Sequence, residues 1–526
     1  MANKKARRPI FETAEWTEEY IKEVMKEASV IAHEEGVPEG YPSRIEIVSA
    51  EQMIDAYVSA GLPISYPHWS FGKALVRNLE AYRRGYMPLA YELVINSNPC
   101  LAYCMEENTM AMQTLVVIHA NIGHNSFFRN NHLFKELTDA STIIPYLEFA
   151  RNYVRQCEEL HGVEEVERVF DATHALSRYG IFHRGRKIRL IAENEEERRR
   201  RIRLEREKRE KEYDPLYDSK LWSGKKASSP DAGEAEFLAR QRRMGLPTEN
   251  LLYFIEKASP NLETWQRELI RINRKLAQYF YPQVQTKFMN EGFATWTHYH
   301  ITKIMEERGL LTEGAYLEIL KSHTGVIRQL GVSEEGYSGF NPYALGLAMF
   351  NDIRRICENP TLEDREWFPD YAGNPNWREV IFKHAMVDFN DSSFFQQFLS
   401  PRLIREFRLF VVEDDAEEDH YVVLDIHNDE GYRRVRTALA RQFERSNLVN
   451  DIQVVDVDLK GDRVLVLQHN VRDGRTLDKR ERGETLRLIA DNLWYPYEVR
   501  MVEVDENGEE LCKASRKRDD GVADKD

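Results

Sequence analysis

Cysteine is scarce in this chain. Five residues in 526 (Cys100, Cys104, Cys157, Cys357 and Cys512) make an odd number in mostly apolar surroundings. That excludes a disulfide framework and makes reduced thiols in a cytoplasmic protein the expectation. Cys100 and Cys104 lie close together, but no second cysteine pair completes a four-thiolate metal site. No stretch approaches the roughly 18 consecutive apolar residues of a membrane-spanning helix. The N-terminus is basic through Arg8, yet Pro9-Ile10-Phe11-Glu12 follows where a secretory leader would turn apolar. Positive charge is also short. Lys and Arg number 73 against 88 Asp and Glu, a net charge of −15, which argues against wholesale nucleic-acid binding. The HExxH signature of many zinc hydrolases is missing, since Ala120 stands where its glutamate would follow His119.

Helical periodicity is plentiful. Residues 15–36 place Tyr20, Ile21, Val24, Met25, Ala28 and Ile31 on one face. Leu89 to Ile95 reads as a short strand bounded by Asn96-Ser97-Asn98-Pro99. From Glu106 to about Phe128 the pattern is helical and apolar on more than one face, as in a deeply buried helix. Helices are also expected over 139–157, 163–179, Trp265 to Tyr281 (stopped by Pro282) and about Val284 to Glu307, and another begins at Asn341-Pro342. Residues 184–212 mix Glu, Arg and Lys at i,i+4 spacing, the pattern of an exposed charged helix, and 213–249 read as a polar loop.

Beyond Pro401 the period changes. Strands are expected at Phe407–Val412, Tyr421–Ile426, Ile452–Leu459, Arg463–Gln468 and Tyr497–Val504, with helices at Glu430–Arg445 and Gly483–Asn492. The sequence therefore predicts a mainly α-helical domain plus a C-terminal α+β module of order ββαββαβ. Its division is a helical N-terminal segment (1–40), a helical core (41–402, with the charged insertion at 184–249), the α+β domain (403–505) and a disordered charged tail (506–526).

The candidate chemistry lies on two helices. His119 and His124 sit on one, Glu291 on the other, and two histidines with a glutamate are a common ligand set for a divalent ion such as zinc. Residues five apart in a regular helix stand about 140° around its axis, so His124 can join His119 only if the helix breaks or carries a π-type bulge. Gly123 is a place where such a distortion is tolerated. His298 follows Glu291 by two turns, roughly 10 Å away, in a supporting or substrate-contacting position, and His323 is a further candidate for the cleft. With no HExxH glutamate, the nearest acidic candidates for a base are Glu106 and Glu107, and Tyr343 is a candidate for steadying an oxyanion.

Asn290-Glu291-Gly292-Phe293-Ala294 resembles the segment of gluzincin metallopeptidases, notably zinc aminopeptidases, whose glutamate is the third zinc ligand. That likeness supports Glu291 as a ligand and gives the two helices a gluzincin-like character. Longer strings resemble another family. They are Tyr66-Pro67-His68-Trp69-Ser70-Phe71-Gly72, Val94 to Cys100, Met105-Glu106-Glu107-Asn108-Thr109, Gly123-His124-Asn125-Ser126-Phe127-Phe128, Met289 to Ala294, Asn341-Pro342-Tyr343-Ala344-Leu345-Gly346 and the region Gln396 to Pro401. Together they resemble the SpoVR family (stage V sporulation protein R), from about residue 40 to about 500. The resemblance implies a link to spore cortex formation and stress physiology. It also implies a setting near a PrkA-type serine kinase and a protein with a von Willebrand A-like domain, and it implies no particular reaction. Any role in peptidoglycan would be exercised from inside the cell, on precursors or on the proteins that make them. Two functions are expected to compete: a zinc-dependent hydrolase of peptide or amide bonds, and a non-catalytic regulatory or scaffold protein working with that kinase.

Overall fold

A computed structural model describes residues 8–58, 92–181, 250–331, 339–410, 427–443, 452–457, 463–471, 476–505 and 507–517, with 68, 76–77, 80, 412–413 and 422–423 between them. The turn expected at Tyr66–Gly72, apart from His68, and the charged segment with its polar loop at 184–249 lie outside the described residues. The chain is mainly helical and divides into two compact units. One comprises Met1–Tyr153 with Tyr279–Arg445, the other Val154–Gln278 with Ser446–Asp526.

The first unit opens with α1 (Glu18–Glu35), capped by the Thr17 side chain at its start and by Gly36 at φ 80° at its end. Its buried face is Ile21, Val24, Ala28, Ile31 and Ala32, close to the face expected from the spacing. Strand β1 (Ser43–Val48), helix α2 (Ala50–Val58), β2 (Glu92–Ile95) and β3 (Cys100–Met105) follow. They make a three-stranded sheet of order β1-β3-β2, with β1 parallel and β2 antiparallel to β3. Then come α3 (Met110–Ile118), a π-helical turn (His119–His124), α4 (Asn125–Asn130), α5 (His132–Leu137) and the start of α6 (Ile143–His161). All nine residues of α3 are buried, as its all-round apolar sequence dictates.

In the second unit are α7 (Val163–Ala175), α8 (Leu251–Ala258) and most of α9 (Thr264–Gln285). Helix α9 runs through Pro282 instead of stopping there. Proline removes only its own N–H, and the turn closes four residues on, where the Thr286 hydroxyl donates to the Pro282 carbonyl at 2.8 Å.

Helix α10 (Lys287–Glu307) is the axis of the first unit. Around it stand α11 (Glu313–Val326), α12 (Pro342–Glu358), α13 (Leu362–Trp367), α14 (Trp377–Glu379) with a second π turn (Val380–Ala385), α15 (Asp391–Phe398) and α16 (Pro401–Glu406). The core joins Phe127, Phe293, Trp296, Phe350, Phe382 and Phe394 among many aliphatic side chains. Two close approaches set its geometry. A methyl group on Gly292 would overlap the Gly346 backbone, so α10 and α12 meet main chain to main chain. One on Gly123 would fall 2.6 Å from Ala294 Cα, which seats the π turn directly on α10.

The C-terminal expectations are met in part. The strand expected at Phe407–Val412 does not form as such: α16, capped by Ser400 and started by Pro401, ends at Glu406 with Phe407 as its C-cap, and Val412–Glu413 alone form β4. Strand β4 pairs with β5 (Val422–Val423), and α17 (Asp429–Phe443) packs into the first unit through Phe443 against Phe288 and Phe395. The second unit ends in a four-stranded sheet of β6 (Ile452–Val457), β7 (Leu465–Asn470), β8 (Val499–Val504) and β9 (Glu510–Arg516), in that order. Helix α18 (Lys479–Arg487) and a π turn (Leu488–Asn492) connect the parallel pair β7 and β8.

Strand β9 lies within the stretch expected to be a disordered tail. Its side chains are mostly exposed, three of the seven are charged, and its order comes from main-chain pairing with β8. The Asp505 carboxylate shapes the turn, accepting from the N–H groups of Asn507 and Glu509. Among the described residues no helix is long and apolar enough to cross a membrane.

Candidate metal centre

The π turn does what the sequence requires of it. Hydrogen bonds of i→i+5 type place residues five apart above one another. His119 and His124 accordingly stand edge to face, with ring centroids 4.6 Å apart, and both are buried. Glu291 reaches the same space from the second turn of α10. The start of that helix is fixed by Asp391, whose carboxylate accepts from the Phe288 and Met289 N–H groups at 2.9 Å each. Burial pushes the Asp391 carboxyl up to about 7 although these main-chain donors oppose it.

Three residues converge as expected, and a fourth joins them. His119 Nε2 lies 3.5 Å from Glu92 Oε1 and 3.7 Å from Glu291 Oε2, and His124 Nε2 lies 3.5 Å from Glu291 Oε2. Ligand atoms of Glu92, His119 and His124 fall within 4.8 Å of one another. The imidazole–carboxylate separations are long for hydrogen bonds. They match two donors on one tetrahedral ion, which stand about 3.3–3.6 Å apart when each is about 2.0–2.2 Å from it. Glu92 Oε2 and Glu291 Oε2 are buried with no hydrogen-bond partner, an arrangement that is costly unless something positive sits between them. Glu92 escaped the sequence reading because it arrives from the edge strand β2, where one glutamate looks like an ordinary polar position.

The surrounding groups orient this set. The Asn290 side-chain oxygen lies 2.9 Å from His124 Nδ1. An amide oxygen only accepts, so His124 carries its hydrogen on Nδ1 and turns the Nε2 lone pair toward Glu291. His119 Nδ1 meets His298 Nδ1 at 2.8 Å, and His298 Nε2 meets His323 Nδ1 at 2.9 Å. His298 therefore lies between His119 and His323, in contact with both rings. Tyr343 stacks on His119 with centroids 6.3 Å apart, and its hydroxyl hydrogen-bonds Glu291.

Glu106 and Glu107, expected as acidic partners, are not brought to the centre. Both are exposed. The main-chain carbonyl of Glu106 accepts from the Trp16 indole, and the Glu107 carboxylate accepts from the Ala50 N–H at the start of α2. They lie just before α3, whose nine residues, about two and a half turns, separate them from His119, so closeness in sequence did not become closeness in space.

Electrostatically the centre couples two carboxylates to two imidazoles. Burial pushes Glu92 up to about 7 against the pull of His119, and drops His124 to about 4. For Glu291 burial is outweighed by His124 and His119, which hold it below the ordinary range. For His119 burial is outweighed by Glu92 and Glu291, which raise it. A cavity of about 790 Å³ opens onto the cluster. Its walls are apolar at Leu115, Val116, Phe128 and Phe340, with Lys287 and Arg328 contributing positive charge.

No solved structure matches the chain. A protein of Escherichia coli (strain K12), YcgB, described as uncharacterized, is 49% identical over 471 residues, 89% of each chain. Residues 450–506 match the SpoVR-like C-terminal domain, and residues 15–448 match the family described as SpoVR like protein. With the centre's residues inside the larger match, the chain belongs to the SpoVR family.

Proposed function

We propose that this protein is a metal-dependent hydrolase of gluzincin-like character, acting on a peptide or amide bond. A divalent cation, zinc by the chemistry of the donor set, is held by His119, His124 and Glu291, with Glu92 beside it. One observation supports this reading above the others. The buried Glu291 Oε2 lacks a hydrogen-bond partner and faces the Nε2 atoms of both His124 and His119, at 3.5 and 3.7 Å, the spacing of two ligands on one ion. Bound there, such an ion polarises a carbonyl and acidifies water. The chain's own residues do the rest. Asn290 keeps His124 in the ligating tautomer, and Tyr343 stands where it can donate to oxygen beside Glu291. Glu92, 3.5 Å from His119 Nε2, is the acidic side chain at the centre that would serve as a base, a role the exposed Glu106 and Glu107 are not placed for.

Elemental analysis of full-length protein purified without added metal tests the centre. About one equivalent of zinc is expected, lost in His119→Ala and Glu291→Gln. Retention of stoichiometric metal by both variants would rule the ligand assignment out. Release of new amino termini from a peptide mixture, abolished in Glu291→Gln, tests the reaction.

A regulatory or scaffold role alongside a PrkA-type kinase and a von Willebrand A-like partner is the second reading. It is favoured by the exposed positions of Glu106 and Glu107, which leave the centre without the base expected from the sequence. The two readings separate in cells. A scaffold works with Glu291→Gln as well as with wild type, whereas a hydrolase fails while still binding its kinase.

A further inference from the structure

The two imidazoles of the centre are held by different means. His124 rests on a group that can only accept, the Asn290 oxygen. His119 rests on another imidazole, which can donate or accept, and beside it on the Ala294 main-chain carbonyl, which only accepts. From His119 the contacts continue through His298, on α10, to His323, on α11, at 2.8 and 2.9 Å, and all three rings are buried.

A neutral imidazole has one N–H and one lone pair, so the direction of the first bond dictates that of the second. In one direction His119 donates from Nδ1, His298 accepts at Nδ1 and donates from Nε2, and His323 accepts at Nδ1. The lone pair of His119 Nε2 then faces Glu92 and Glu291 with room for a cation. In the other direction His298 donates to His119, and the hydrogen on His119 moves to Nε2. It then points at the two carboxylates, 3.5 and 3.7 Å away, and a cation is opposed.

We propose that His298 and His323 are positioning residues that hold His119 in its Nε2-ligating tautomer. His323 is the deciding member. Its Nδ1 lone pair gives the His298 Nε2–H a buried acceptor. Without that acceptor, His298 is better satisfied by turning its hydrogen toward His119, the direction that blocks the metal. The inference rests on the metal-centre reading and adds two residues that touch no ligand position themselves.

The test is cobalt(II) titration of the full chain after chelator stripping, with affinity from competition and the visible spectrum recorded. His323→Leu removes the acceptor and His323→Gln restores one in a side chain of similar size. Loss of such a supporting partner lowers metal affinity roughly 10–100-fold, so that loss with altered visible bands is expected for His323→Leu and His298→Phe, and affinity within about threefold of wild type for His323→Gln. Equal behaviour of the Leu and Gln variants would overturn the proposal, because packing would then explain both. So would a His323→Leu chain that binds cobalt like wild type with the same spectrum. A wild-type chain that takes up no cobalt removes the metal centre itself, and the positioning role with it.

Discussion

At the scale of single residues, the centre depends on groups that choose between tautomers and charge states. Asn290→Ala leaves His124 Nδ1 without its acceptor. Affinity for zinc, measured by chelator competition, is expected to fall roughly 10–100-fold, whereas Asn290→Asp, which still accepts, is expected to keep binding. A second residue-scale prediction concerns Asp364. Burial pushes its carboxyl up, but the Arg355 fork at 2.6 and 2.8 Å and the Thr361 cap outweigh burial and hold it at about 2. A carboxyl held low in the fold stabilises it above the unfolded pKa near 4 and loses that contribution as pH falls toward 2. Asp364→Asn is expected to cost about 2 kcal/mol at neutral pH, by denaturant unfolding, and to flatten the stability profile between about pH 4 and 2.

How much of the centre was legible follows the same residues. His119, His124 and Glu291 could be read because their spacing and the short string around Glu291 are local. Glu92 and Asp391 could not be read. One crosses from a sheet edge and the other acts on a helix start about a hundred positions away, and neither relation leaves a periodic trace in the chain.

At the scale of elements, the π turn and the glycine contacts carry the architecture. The distortion at His119–His124 was legible as a necessity, since five-residue spacing cannot share a face of a regular helix. The main-chain contact of α10 with α12 was not, because Gly292 and Gly346 give no signal apart from each other. Gly292→Ala is expected to destabilise the fold by about 1–3 kcal/mol and to weaken metal uptake, because the opposing atoms are backbone and cannot swing away. Gly314→Ala is the control. It lies in α11 with open space around it, and is expected to stabilise by up to about 1 kcal/mol. Thermal or denaturant unfolding of both variants checks the pair. The end of α9 and the start of α16 show where turn signals mislead. Pro282 was given too much weight as a stop, and Ser400-Pro401 too little as a start.

At the scale of the whole molecule, the sequence separates a helical part from a later α+β part, and the structure is mainly helical with a small C-terminal sheet. What it could not reveal is that compactness groups Val154–Gln278 with Ser446–Asp526, a pairing of distant stretches that composition does not mark. Every residue of the proposed centre lies in the other unit. Zinc addition is therefore expected to slow amide hydrogen exchange in 110–130 and 287–307 while leaving 452–504 unchanged, as followed by mass spectrometry. Uniform or absent protection would count against a localised centre.

The seating of Gly123 against Ala294 has one more result. The proposed ligands on both sides are carried by backbones already in touch, so the aperture between them has little freedom to dilate. An ion of larger radius, such as calcium with oxygen distances of about 2.3–2.6 Å, would have to spread two rods that share one surface. Discrimination by size is then built into the spacing of the main chains, before the chemistry of any donor atom is consulted.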